Sequence, residues 1–193
     1  MSTIISIISL IIAITIHEFS HALMADHLGD PTPRSQDRLS LNPLKHLDPL
    51  GTFMLIFAKF GWGKPVPIDP YNLKNPRRDE LLIALAGPAS NIILAILVSI
   101  LSRFLPIPLL ISYILIATNL SLAIFNLLPI PPLDGSKIFL NLLPYQQSLQ
   151  RQSALNQYGN FILIAMLFLP FHGSNMINII IGPIIQLLLK LLI

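Results

Sequence analysis

The chain has 193 residues, 53% of them hydrophobic and only 11% charged, and its mean hydropathy is +0.72. A soluble domain carries about 25% charged residues, so this composition argues against a water-soluble protein and for a surface that largely faces lipid. Cysteine is absent, which excludes disulfides and cysteine-bound metals, and the small formal charge of +3 indicates membrane orientation rather than nucleic-acid binding. We expect one all-α, multi-pass membrane domain over residues 1–193, with its core in 1–145 and further spans in 155–193.

The first predicted helix covers residues 3–28. It ends at Gly29-Asp30-Pro31, because glycine favours a helix C-terminus and a proline soon afterwards prevents continuation. The segment lacks the basic start and the small-residue cleavage site of a signal peptide. We therefore expect an uncleaved membrane helix.

Near the end of this helix stands the sequence His17-Glu18-Phe19-Ser20-His21. Histidines four residues apart lie on one helix face, where both imidazoles can bind one metal ion, usually zinc. Glu18 lies roughly 100° round the helix, beside the metal, where a carboxylate can take a proton from water. Ionisable groups are costly inside a membrane, which favours a functional site over a polar cluster that only holds helices together.

A long polar connection follows at residues 30–80. Within it, residues 50–58 are apolar but too short to span a membrane, and residues 61–67 favour extended or turn structure, so we predict a re-entrant or extended segment near 50–68. The positive-inside rule makes the connection cytoplasmic, the N-terminus external and the histidine pair closer to the cytoplasmic face. This rests on eight of the twelve basic residues: Arg34, Arg38, Lys45, Lys59, Lys64, Lys74, Arg77 and Arg78.

Four further spans are predicted at residues 81–102, 109–128, 155–169 and 176–193, with a polar cytoplasmic stretch at 144–157. Together with the first helix and the segment near 50–68, they give five to six membrane segments. Five crossings place the C-terminus inside and leave only Arg103 outside among the basic residues, in agreement with the charge distribution.

Two histidines leave a catalytic zinc ion short of a third protein ligand. Asp134 is the best candidate, because it follows a proline break on the same membrane side as His21, although an aspartate there can equally cap a helix. His46 and Asp48 are alternatives on the same side, in a loop. His172 is expected on the far side.

Two motifs together resemble the site-2 protease family of intramembrane zinc metalloproteases. The first is His17-Glu18-x-x-His21, and the second is the sequence NLLPIPPLDG at residues 126–135, which matches the family pattern N-x-x-P-x-P-x-L-D-G. Stretches at 41–51, 61–67 and 86–91 fit as well. The resemblance covers residues 10–145 and corresponds to the minimal members that lack PDZ and CBS domains.

The resemblance implies that His17, His21 and Asp134 bind one Zn²⁺, that Glu18 is the catalytic base and that Asn126 contacts substrate. It implies a zinc endopeptidase that cuts peptide bonds in or near transmembrane segments of membrane proteins. The expected setting is the bilayer of a prokaryotic cell membrane, with the active site toward the cytoplasmic face and no nucleic-acid partner.

Two rival functions remain at this point. A divalent-metal transporter would need ligands along a full path across the membrane, and an inactive membrane adaptor would not need Glu18. For Gly87 and Asn91, helix packing is the favoured role, with a position of Asn91 near the site as the alternative. Asp37 stands where the family resemblance leads us to expect glycine before Arg38.

Overall fold

A computed structural model describes residues 2–58, 61–171 and 174–193. Lys59 of the basic connection and His172 lie outside the described residues. Within the described ranges the chain forms eight α-helices, two 3-10 turns at Pro43–Lys45 and Pro70–Asn72, and a two-residue antiparallel hairpin of β1 (Pro170–Phe171) and β2 (Ser174–Asn175). The helices are α1 (Ser2–His27), α2 (Thr32–Ser35), α3 (Pro49–Ala58), α4 (Pro76–Phe104), α5 (Leu109–Asn126), α6 (Asp134–Leu142), α7 (Tyr145–Phe168) and α8 (Met176–Leu192).

Three of these helices, α1, α4 and α5, are long and apolar enough to cross a membrane. They pack against one another and form the centre of the molecule. Small residues are buried at their contacts, among them Ala13, Ala22, Ala95 and Ala123. Small side chains let membrane helices approach closely, so polar side chains of neighbouring helices come within hydrogen-bonding distance.

The C-terminal region differs from the prediction of five to six segments, which the structure does not confirm. Residues 144–157 are not a separate polar connection; from Tyr145 onward they belong to α7, because glutamine, leucine, arginine and alanine are good helix formers whatever their polarity. Because its N-terminal half is polar, α7 is not among the helices that are long and apolar enough to cross a membrane. The apolar α8 has 17 residues and continues through Gly182 and Pro183.

The connection between α1 and α4 folds back onto α1. Asp30, directly after α1, accepts hydrogen bonds from the backbone N–H of Asp69 at 2.8 Å and from Asn72 Nδ2 at 2.9 Å. Gly63 forms a β-bridge with Leu47, and a Cβ atom on Gly63 would lie 2.8 Å from the Ile14 side chain. Only glycine therefore lets this non-helical segment lie against α1, as the predicted extended structure requires.

Candidate metal centre

The first helix and the start of α6 bring three ligand atoms together. Asp134 Oδ2 lies 3.1 Å from His17 Nε2 and 3.1 Å from His21 Nε2. All three atoms lie within 4.8 Å of one another, and both histidines are buried. The structure therefore joins the three residues that the sequence singled out as a metal-binding set.

Asp134 reaches the histidines because the chain turns sharply after α5. A Cβ atom on Gly135 would collide with the backbone carbonyls of Leu127 and Leu128, so glycine is needed for this close approach. Leu133, with extended backbone angles, occupies the cap position of α6, and no side chain of the described residues caps the helix. The carboxylate of Asp134 thus faces the histidines instead of capping α6.

The second ring nitrogen of each histidine is held by an acceptor. His17 Nδ1 donates to Asn91 Oδ1 at 2.7 Å, and His21 Nδ1 donates to the backbone carbonyl of Ile83 at 2.7 Å. Such outer contacts fix the ring orientation and the tautomer of metal-binding histidines. Metal ligation by these rings therefore uses Nε2, the atom that faces the centre.

Asn91 belongs to a buried network that sequence reasoning missed. Its Nδ2 donates to the carbonyl of Ala13 at 3.0 Å and to Asn119 Oδ1 at 2.9 Å, and Asn119 Nδ2 donates to the carbonyl of Leu115 at 2.9 Å. Asn91 and Asn119 are both fully buried. The amide of Asn91 is thereby oriented with its oxygen toward His17. A buried asparagine in an apolar span was the available signal.

The donor set fits a zinc ion. Ligand atoms of a tetrahedral zinc site with bonds of about 2.0–2.1 Å lie about 3.3 Å apart, and the two 3.1 Å separations here are close to that value. With both Nδ1 atoms donating, two lone pairs and a carboxylate oxygen converge on one point. A cation there relieves their mutual repulsion.

Gly87 leaves the space around the centre open. A Cβ atom at this position would lie 2.7 Å from His17 Nε2 and closer still to His21 Nε2. Gly87 and Asn91 were expected to serve packing, but both lie directly against the histidines. Their positions depend on the register between α1 and α4, which the sequence does not show.

Glu18 lies beside the triad. Its Oε2 accepts a hydrogen bond from the backbone N–H of Val66 at 3.2 Å, so the segment after Gly63 crosses over this carboxylate. An added Cβ atom on Gly63 would also lie 3.4 Å from Glu18 Oε1. The carboxylate is thus held by the connection without being among the three clustered ligand residues.

Arg38 fastens the segment that covers Glu18. Its guanidinium donates to the carbonyl oxygens of Pro65 at 2.9 Å and Lys64 at 2.5 Å, and the residue is only 4% exposed. Burial lowers the pKa of Arg38, and attraction to the Glu18 carboxylate opposes that change. Asp37 precedes it with a φ of 54°, a left-handed conformation that glycine adopts most easily. This explains why glycine suits the position before Arg38.

The two loop alternatives for the third ligand have other roles. His46 is fully buried, and its Nε2 donates to the carbonyl of Ser40 at 2.5 Å. Burial lowers the pKa of His46, the hydrogen bond to Ser40 opposes that change, and the neighbouring Arg38 adds to it. Asp48 accepts the backbone N–H of Gly51 at 2.8 Å at the start of α3. Both side chains therefore organise the loop.

Asn126 is not joined to the triad by a hydrogen bond. Its Nδ2 donates to the carbonyl of Leu122 at 3.0 Å, one turn earlier in α5. The structure thus places the residue at the end of α5, before the turn to Asp134, and leaves its role in substrate binding a prediction.

A cavity of about 760 Å³ opens beside the centre. His21 and Asp134 lie in its wall, as do residues of the 65–70 segment, of α6 and of the polar half of α7. This volume falls within the range of about 300–1,000 Å³ that is usual for ligand pockets. His21 and Asp134 are therefore accessible from a large open space.

Comparison with known proteins agrees with this geometry. Residues 107–170 match the model of peptidase family M50. The chain is 40% identical over 180 residues to "Putative zinc metalloprotease YwhC" of Bacillus subtilis, an alignment that covers 87% of this chain and 81% of that protein. "Putative zinc metalloprotease Rip2" of Mycolicibacterium smegmatis is 32% identical over 172 residues, an alignment that covers 83% of this chain and 65% of that protein.

"Zinc metalloprotease MJ0392" of Methanocaldococcus jannaschii is 32% identical over 115 residues, which are 56% of this chain and 33% of that protein. The chain thus spans less than two thirds of these last two relatives. No solved structure matches the chain significantly.

Apolar helices around two buried histidines and a half-buried aspartate, with an adjoining glutamate, are typical of a membrane metallohydrolase. The similarity to YwhC extends over most of both chains, and on that basis the chain belongs to peptidase family M50, the site-2 proteases. The protein is a zinc-dependent metalloendopeptidase and a multi-pass membrane protein.

Proposed function

We propose that this protein is an intramembrane protease that hydrolyses peptide bonds in or near the transmembrane segments of membrane proteins. His17, His21 and Asp134 hold the zinc ion, and Glu18 is the catalytic base. The observation that carries the proposal is the convergence of three ligand atoms within 4.8 Å of one another, between helices that are apolar enough to lie in a bilayer.

Bound zinc supplies a positive charge that acidifies water and polarises the scissile carbonyl. Glu18 accepts a proton from the attacking water and passes it to the amine that leaves, so that one water molecule yields one carboxylate end and one amine end. The N–H of Val66 orients the Glu18 carboxylate for these transfers. Asn91 and the Ile83 carbonyl keep both imidazoles in place.

A substrate helix hides its carbonyls in its own hydrogen bonds, so it must unwind locally before it is cut. The non-helical segment at residues 61–69 pairs with the unwound strand by β-addition. Asn126 holds the substrate backbone through its amide. An Asn126→Ala variant is therefore expected to cleave more weakly and to keep its zinc; loss of zinc would contradict this role.

The charge distribution supports the orientation. The described basic residues between α1 and α4 favour a cytoplasmic connection, with the N-terminus outside and the centre toward the cytoplasmic face. In this proposal the 155–168 part of α7 and the 17-residue α8 supply the fourth and fifth crossings. Homologues in bacteria and an archaeon support a prokaryotic cell membrane.

The test compares the wild type with Glu18→Gln in detergent, using a single-span membrane protein as substrate and measuring zinc in the same samples. We expect about one zinc ion per chain in both proteins and cleavage by the wild type alone. Cleavage by Glu18→Gln would show that Glu18 is not the catalytic base. Zinc binding without cleavage in either protein would favour the adaptor, and zinc uptake into vesicles without cleavage would favour the transporter.

A further inference from the structure

One face of α7 forms a row of amide side chains in the wall of the large cavity. Gln152, Asn156 and Asn160 are spaced by four residues, and all three line the cavity that also reaches His21 and Asp134. We call the three amides the α7 amide stripe. Residues four apart lie on the same helix face, so the stripe points into one space.

The amides of the stripe are available for a ligand. All three residues are exposed, and none makes a side-chain hydrogen bond to any residue that the structure describes. An amide side chain offers both donors and an acceptor, which is the complement of a peptide group. The stripe can therefore bind a peptide backbone without regard to its side chains.

Backbone donors are scarce where residues 65–70 line the cavity. Pro65 and Pro70 lie in this wall and have no N–H, whereas Ile68 between them keeps one. A substrate strand that pairs with the 61–69 segment consequently finds fewer partners once it passes Pro65. Backbone groups of an unwound peptide need partners at membrane depth, and the α7 amide stripe supplies them.

The length of the stripe also fits a peptide. Eight residues of helix separate Gln152 from Asn160, a rise of about 12 Å. At about 3.3 Å per residue, this distance corresponds to about four residues of extended chain. A cavity of about 760 Å³ accommodates such a segment.

We propose that the α7 amide stripe binds the extended backbone of the substrate segment adjoining the scissile bond, on the side that leads out of the membrane toward the polar half of α7. The inference rests on the proposed function. In this inference α7 is a substrate-binding element. It accepts substrate residues of varied sequence next to the scissile bond, provided that they can adopt an extended conformation.

The stripe is tested by binding and by cleavage. The triple variant Gln152→Ala/Asn156→Ala/Asn160→Ala is compared with Gln146→Ala/Gln150→Ala/Gln157→Ala, whose glutamines lie on α7 but outside the cavity wall. Binding of a fluorescent single-span substrate is measured by anisotropy in zinc-loaded protein that also carries Glu18→Gln. Cleavage, zinc content and Tm are measured in variants with Glu18 intact.

A net hydrogen bond corresponds to about a two- to tenfold change in affinity, so the loss of three such bonds in the stripe variant should raise Kd and KM by on the order of 100-fold. Its kcat, zinc content and Tm should match those of the control variant. Removing four substrate residues from the segment that the stripe is proposed to bind should weaken binding to the wild type by a similar factor. The same removal should leave the affinity of the stripe variant unchanged.

Two results would overturn the inference. One is equal binding by the stripe variant and its control, and the other is an equal loss on shortening the substrate in the wild type and the stripe variant. Because anisotropy needs no cleavage, these results are separable from a failure of the proposed protease function, in which the wild type binds but does not cut.

Discussion

Gly87 offers a sharp test of the metal centre, because a single added methyl group would enter it. In a Gly87→Ala variant the new Cβ atom would lie 2.7 Å from His17 Nε2 before relaxation. Comfortable contacts between heavy atoms begin at about 3.5 Å, so the His17 ring or α4 must move by at least about 0.8 Å, and the closer contact with His21 Nε2 requires a larger shift. Zinc sites tolerate departures of about 0.2 Å from their normal distances.

The expected loss follows from this displacement. Changes around metal-binding histidines lower metal affinity about 10- to 100-fold, which is about 1.4–2.8 kcal/mol, and overpacking costs about 1–3 kcal/mol of folding stability. Zinc affinity is measured by competition with a chromogenic chelator in detergent, alongside cleavage of a single-span substrate. We expect both to fall together in Gly87→Ala.

Gly182→Ala is the matched control, because it makes the same change within α8, where, apart from the adjacent backbone of the helix itself, no described atom lies within 4 Å of the added Cβ. It should leave zinc affinity unchanged and add up to about 1 kcal/mol of helix stability. Zinc affinity of Gly87→Ala within twofold of the wild type would refute the placement of Gly87 against the histidines.

Three further predictions concern the surroundings of the centre. Asn91→Leu removes the acceptor of His17 Nδ1 and should lower zinc affinity about 10- to 100-fold in the same chelator assay; unchanged affinity would contradict its orienting role. Arg38→Met frees the carbonyls of Lys64 and Pro65 and should reduce kcat at least about tenfold with full zinc content, while loss of zinc would indicate general misfolding. Asp30→Asn should lower Tm at pH 7 by the shift that corresponds to about 1–3 kcal/mol of unfolding free energy. The difference from the wild type should shrink as the pH falls below 3.8, since a carboxylate of depressed pKa stabilises the fold above its unfolded pKa and loses that effect as pH falls through its folded pKa; a pH-independent difference would contradict this.

The pKa of Asp30 has a specific structural cause. Burial opposes ionisation of this carboxyl, but hydrogen bonds from Thr32, Asn72 and the backbone N–H of Asp69 outweigh that effect and lower the pKa below its ordinary value of 3.8. The acid dependence of Tm in Asp30→Asn therefore reports on the contact between the end of α1 and the connection.

The sequence predicts those features that depend on local pattern. The uncharged runs give α1 and α5 to within two or three residues, and the spacing of His17 and His21 gives their common face. Asp134 was identified because few acids lie near the spans. The sequence also predicts a re-entrant or extended segment near 50–68, where the structure has the helix α3 (Pro49–Ala58) and non-helical residues from 61 onward.

Features that depend on helix–helix register could not be predicted. The partner of His17 is Asn91 and the partner of His21 is a backbone carbonyl on α4, and both follow from how α1 and α4 are rotated against each other. The full extent of α7 was missed because hydropathy distinguishes lipid from water and not helix from loop.

The central claim is that two imidazoles and one carboxylate hold zinc. X-ray absorption at the zinc K-edge, on detergent-purified protein loaded with one zinc ion, tests it most directly. The wild type should show two imidazoles and oxygen ligands at about 2.0–2.1 Å, and His21→Ala should lose zinc or retain one imidazole at most. A wild-type spectrum without two imidazoles, or an unchanged spectrum in His21→Ala, would contradict the account.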